Sequence, residues 1–187
     1  MSTTFDKETG SRVLPVTVRV WDPFVRMFHW SLVAAMAYEL FAEAGTWQHV
    51  YLGYGVVVLV ALRVIWGLVG SRHARFSDFV KSPAAVIGYL VSLLGNRPRH
   101  YLGHNPAGGW MVIALLIGVA ATGISGWAMK TDALWGEEWI EDLHEALANG
   151  MLVLIALHLA GVVVASIQHK ENLVRAMITG KKPDPAN

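Results

Sequence analysis

The sequence predicts an all-α membrane protein: a four-transmembrane-helix bundle with an additional short interfacial helix on the cytoplasmic side. Three observations lead there. Hydrophobic residues make up 54% of the 187 and charged residues only 16%, with a mean hydropathy of +0.42, an apolar excess over ordinary soluble domains. That excess is gathered into four long runs. When the runs are threaded alternately through a bilayer, fourteen of the fifteen lysines and arginines fall on one side.

Residues 1 to about 20 are polar and hold no apolar stretch followed by a small-residue cleavage site. They read as a cytoplasmic tail, with the first span serving as its own insertion signal. The four spans are expected at Phe24 to Ala44, His49 to Val69, Pro106 to Met129 and about His144 to Ile167. Each reaches the roughly 20 residues needed to cross ~30 Å of hydrocarbon. Between the second and third, SPAAVIGYLVSLLGN is too short to cross. Lys81, Arg97 and Arg99 flank it, which suits a helix in the inner headgroup layer. The bundle is expected over residues 21 to 178, with 179 to 187 a second cytoplasmic tail.

Lys7, Arg12, Arg19 and Arg26 precede or open the first span. Arg63, Arg72, Arg75, Lys81, Arg97 and Arg99 lie at or after the end of the second, and Lys170, Arg175, Lys181 and Lys182 follow the fourth. The positive-inside rule then makes both termini and the long middle connection cytoplasmic. Gly45 to Gln48 and Lys130 to Asp142 are left outside. Lys130 is the exception among the bases, and the outer connection is acidic, with Asp132, Glu137, Glu138, Glu141, Asp142 and Glu145 in or beside it.

Histidines mark the ends of these runs. His144 and His158 are fourteen residues apart, nearly four helical turns, so both rings leave one face about 21 Å apart along the axis. His29 falls in the inner half of the first span and His49 at the outer end of the second. Two level pairs result, His29 with His158 and His49 with His144, each drawn from two helices. Their order and depth suit two haems stacked across the membrane. With no cysteine in the chain, covalent haem attachment, iron–sulfur clusters, thiolate zinc sites and disulfides are excluded.

Arg63, fourteen residues after His49, sits on the His49 face at the inner level. A charge at that depth needs a partner, and a haem propionate would suit. Arg26 is placed for the other inner propionate and Lys130 for the outer haem. Gly53, one turn from His49, gives room for a flat macrocycle, as do Gly118, Gly123 and Gly126, which equally suit close helix packing. His73, His100, His104 and His169 lie in basic inner connections and read mostly as solvated or lipid-facing.

The segments RMFHW, QHVYLGYGVVVLVALRVIWGL, GHNPAGG and LHEALANGMLVLIALH resemble the bacterial cytochrome b561 family over about residues 20 to 180. The resemblance extends to the related cytochrome b subunits of nickel–iron hydrogenases. It implies two noncovalent b-type haems on His29, His49, His144 and His158, and electron exchange with quinone. Two axial imidazoles on each iron leave no open coordination position, so single-electron relay is expected. His100 and His104 are candidates for supplying quinone protons on the inner side; Glu39 and Lys130 are the outer equivalents.

The acidic outer face suits a basic periplasmic partner such as a c-type cytochrome. Two further family functions stay open. A superoxide oxidase would favour a positive entrance for its anionic donor, and a membrane anchor for a hydrogenase or dehydrogenase would need more docking surface than the short outer loops offer. A cofactor-free transporter or scaffold would require a carboxylate at the depth of Arg63, where the linear order places none. Membrane lipid is the remaining partner, and nothing points to nucleic acid.

Overall fold

The computed structural model describes residues 17–95 and 101–183. His100, Arg97 and Arg99, the first sixteen residues of the N-terminal tail and 184–187 of the C-terminal one lie outside the described residues. Strand β1 (Thr17–Arg19) leads into α1 (Pro23–Glu39) and α2 (Trp47–Val69). A 3-10 turn (Arg72–Ala74), α3 (Phe76–Phe79) and α4 (Pro83–Leu94) follow, then α5 (Pro106–Ala128), α6 (Glu138–His169), α7 (Leu173–Thr179) and β2 (Lys181–Pro183).

Local chemistry starts these helices where the chain needs them. Asp22, Ser82 and Asn105 each precede a proline at the first helical position, and their side chains accept from the N–H three residues on, at 2.9, 3.3 and 2.7 Å. This combines an N-cap acceptor with a residue that has no N–H to satisfy. Thr46 caps α2 through the His49 N–H.

Among the described residues, three helices are long and apolar enough to cross a membrane: α2, α5 and α6. Only 22%, 17% and 11% of their apolar windows are buried within the protein. Leu68, Val69, Ile117, Val153 and Ile167 point outward and are more than half exposed, a surface that suits lipid. The expected short helix forms as α4, with Tyr89 buried and Ile87, Leu90 and Val91 facing out.

Two boundaries differ from the expected ones. The first span stops at Glu39 instead of running to Ala44, so α1 has 17 residues. The reversal uses Gly45 at φ +74, a conformation glycine adopts without a Cβ penalty, and it brings Glu39 onto His49. In the other direction, α6 starts six residues before His144, because Ile140 is buried, and the last five residues of the expected outer loop are helix.

Ala35, Val56, Val60, Leu116, Val119 and Met151 form the central core, with contributions from all four long helices. Helix α5 packs along α6 and α2, and α1 along α2, whereas α6 meets α1 and α2 only sparsely. Gly118 and Gly123 serve that packing: a Cβ at Gly118 would lie 2.5 Å from Met151 Sδ, and one at Gly123 would overlap Val57.

A second cluster, Val20, Trp21, Val25, Ala74 and Ala176, closes one end. There β1 and β2 pair antiparallel, Val18 opposite Lys182, and the N–H groups of Val20 and Trp21 both donate to Gly180 O. The two ends of the described chain are thereby tied together beneath α1. Asp22 bonds Trp66 and Glu39 bonds His49, so α1 runs antiparallel beside α2 between Trp66 and His49.

Candidate functional site

The sparse α6 boundary is where the paired histidines face one another. His49 on α2 and His144 on α6 have ring centres 6.2 Å apart and planes at 89°. Two metal–imidazole bonds of about 2.0–2.1 Å each, with ~1 Å from nitrogen to ring centre at either side, sum to about 6 Å. The spacing fits one iron between the rings.

The outer ring nitrogens are committed in a way that supports this. His49 Nδ1 donates to the Glu39 carboxylate. His144 Nδ1 lies 3.0 Å from both Thr122 O and Ser125 Oγ, and the Ser125 hydroxyl itself donates to Thr122 O. An imidazole that gives its Nδ1 proton to an oxygen keeps a lone pair on Nε2, the arrangement of a metal ligand braced by a second hydrogen bond.

Glycine makes this possible on the α5 side. A Cβ at Gly126 would sit 2.9 Å from His144 Cε1, so the ring lies directly on the helix backbone. At Gly53, one turn from His49, a Cβ would meet nothing within 4 Å, leaving an open face where a macrocycle would lie.

At the other end, His29 on α1 and His158 on α6 lie within electrostatic reach of each other. His29 Nδ1 is buried without a hydrogen-bond partner among the described residues. Arg63 is only 3% exposed. Its Nη2 donates to Ala74 O at 3.1 Å and its guanidinium lies 5.4 Å from the Phe76 ring centre, while Nη1 has no partner among the described residues. Arg26 Nε is likewise buried and unpartnered. Two inner guanidinium N–H groups thus have no partner among the described residues and could meet an anion. Among the described residues no group of three or more His, Cys, Asp or Glu gathers around a bare ion, and a haem needs only two axial ligands.

His104 departs from its expected solvated setting. It packs between Trp21 and Phe79, with ring centres 4.6 and 4.7 Å away. Burial first, then the charges of Arg63, Lys182 and His158, lower its pKa to about 3 against a weaker pull from Asp78. It is neutral at pH 7. His73 pairs with Asp78 at 3.0 Å, and Lys130 Nζ lies 5.2 Å from the Trp135 ring centre.

Asp22 was invisible as a site residue in the sequence. Its carboxylate caps α1, accepts from Trp66 Nε1 at 3.1 Å and from Ser71 Oγ, and attracts Arg63. Burial alone would raise its pKa. Hydrogen bonds from Ser71, Val25, Trp66 and Phe24 outweigh that and hold it below the usual carboxylate value. Thr122 and Ser125 were missed as well, and Glu39 was noticed without its partner. The Asp–Pro pair was the one local signal, and it spoke for a cap.

Residues 20–180 match the family model for prokaryotic cytochrome b561. The chain belongs to that family. It is thus a membrane b-type cytochrome, a haem protein of electron transfer. Relatives with sequence similarity include the protein named as a probable Ni/Fe-hydrogenase B-type cytochrome subunit in Rhizobium leguminosarum bv. viciae, 24% identical over 160 residues that cover 72% of this chain and 66% of the relative. Proteins of the same name from Azotobacter vinelandii and Azotobacter chroococcum mcd 1 are 26% and 28% identical over 159 residues, each covering 71% of this chain and 65% of the relative. The chain spans just under two thirds of the length of these relatives. No solved structure matches it.

Proposed function

We propose that this cytochrome b561 carries single electrons across the bacterial inner membrane through two b haems, between a periplasmic redox protein and the quinone pool. The outer haem would be held by His49 and His144 and the inner by His29 and His158. The outer pair carries this reading, because its 6.2 Å ring separation and its two committed Nδ1 atoms are what a bis-imidazole iron requires. When bound, haem supplies a reversible one-electron centre.

The protein's own groups do the rest. His49 and His144 would both ligate the iron, which would leave it no open site for oxygen or substrate. Gly53 and Gly126 would give the macrocycle and the ligand room, and Arg63 and Arg26 would receive inner propionates. The fourteen-residue step along α6 from His144 to His158 would separate the two ligands by about 21 Å along the helix axis. His104, neutral and enclosed, packs the inner end in this reading instead of supplying quinone protons.

Four spans remain our count. Helix α1 is about 25 Å long at 1.5 Å per residue, and its end contacts to Trp66 and His49 keep it beside α2 over most of the same depth. Loading can be measured by pyridine haemochrome on detergent-purified protein. Two haems per chain are expected, with His49→Ala or His144→Ala removing one and His29→Ala or His158→Ala the other.

On the outer side, Asp132, Glu137, Glu138, Glu141, Asp142 and Glu145 are all exposed, with Trp135 and Trp139 standing among them at 68% and 54% exposure. Such a face attracts a basic protein and repels a small anion. Stopped-flow oxidation of the reduced protein by a basic cytochrome c should speed up severalfold as salt is lowered; a rate indifferent to salt would contradict docking at this face. The relatives' names favour a second reading, in which the same face seats a periplasmic hydrogenase-type subunit. Because Glu138 to Asp142 lie on a rigid helix, the surface is larger than the loop lengths suggested. Co-purification of a stoichiometric soluble subunit would support that version.

A further inference from the structure

The two histidine pairs differ in the charge beside them. His49 Nδ1 donates to a carboxylate, Glu39, whose side chain is 15% exposed and whose Oε1 is buried without a hydrogen-bond partner among the described residues. No second hydrogen bond dilutes its hold on His49, and the same charge is felt by His144. At the inner pair the sign reverses. Among the described residues His29 Nδ1 has no acceptor, and buried guanidinium N–H groups of Arg63 and Arg26 have no partner at that end.

We propose that Glu39 is a positioning residue that lowers the reduction potential of the outer haem below that of the inner one, so that electrons enter outside and run inward. A ligand imidazole whose other nitrogen donates to an anionic acceptor is more basic and binds the oxidised iron better. A nearby negative charge favours the oxidised, more positive state on simple Coulomb grounds. Both effects act in one direction. The inner guanidinium charges act oppositely, favouring the reduced state there. An electron moving inward climbs an inside-negative membrane potential, and the difference between the two centres supplies the drop that opposes it. In each transfer the outer iron passes from ferrous to ferric and the inner from ferric to ferrous, with the periplasmic reductant refilling the outer site.

This rests on the two-haem reading, so the test uses single-haem backgrounds. The outer haem is titrated potentiometrically in His158→Ala protein and the inner in His144→Ala, each with and without Glu39→Gln, at one pH. The wild-type outer midpoint should lie below the inner. Glu39→Gln should raise the outer one by about tenfold in its reduction equilibrium, about 59 mV for one electron, and leave the inner unmoved. Should Glu39→Gln lose haem, Glu39→Asp, with a carboxylate that reaches His49 less well, should move the outer midpoint upward by a smaller step. An outer midpoint that stays put, or an inner one that moves equally, overturns the role of Glu39 while leaving the two-haem reading intact. Failure of the His158→Ala protein to hold an outer haem overturns both.

Discussion

At the scale of single residues, close approach and hydrogen bonding determine whether a histidine can ligate. Gly126 is the sharpest case, because its missing Cβ is what lets the His144 ring lie on α5. Gly126→Ala should cut haem loading from two per chain toward one by pyridine haemochrome, whereas Gly150→Ala, with open space around its Cβ position, should leave loading unchanged. Replacing Arg63 by methionine leaves the Ala74 carbonyl without its donor. That should cost about 1–3 kcal/mol, visible as a lower thermal midpoint in detergent. The histidines themselves were legible in the sequence because helical spacing is rigid: fourteen residues on α6 fix a face and a depth. Their bracing partners were not. Glu39 reaches His49 only because the chain reverses between them, and Thr122 acts through a backbone carbonyl that no side-chain pattern reveals.

At the scale of elements, the apolar runs announced α2, α5, α6 and α4, since about 20 uninterrupted apolar residues have few other uses. The helix ends were harder to read. Phe41, Ala42 and Ala44 continue the first apolar run, yet the turn at Gly45 ends α1 early. EEWIED reads as a polar loop until Ile140 is seen to bury, and three-residue strands carry no readable period. Asp22 joins α1 to the end of α2 across 44 and 49 residues of sequence. Asp22→Ala should therefore cost more than the ~1 kcal/mol of an ordinary cap, again read as a thermal midpoint. The carboxylate is lowered from 3.8 by its hydrogen bonds, so its contribution is complete above that value and is lost as acid protonates it. His104 adds a higher window. Its pKa falls from 6.5 unfolded to about 3 folded, so the unfolded chain binds the extra proton between those values. Stability should be full above pH 6.5 and decline toward pH 3. His104→Phe should flatten the part of that decline between pH 6.5 and 5.

At the scale of the whole molecule, charge asymmetry distinguishes the two ends of the bundle. Bases gather where β1, β2 and α7 close the bundle, and carboxylates where α6 begins. The absence of native cysteine makes this simple to map: in spheroplasts a single cysteine at Asp132 should react with a membrane-impermeant maleimide, and one at Arg175 should react only after permeabilisation. The central claim is one electron path through two bis-histidine haems, and pyridine haemochrome on the four His→Ala variants tests it most directly. Two haems in the parent, one lost with either outer ligand and the other with either inner ligand, is the result expected. No haem in the parent, or full loading in all four variants, would contradict it.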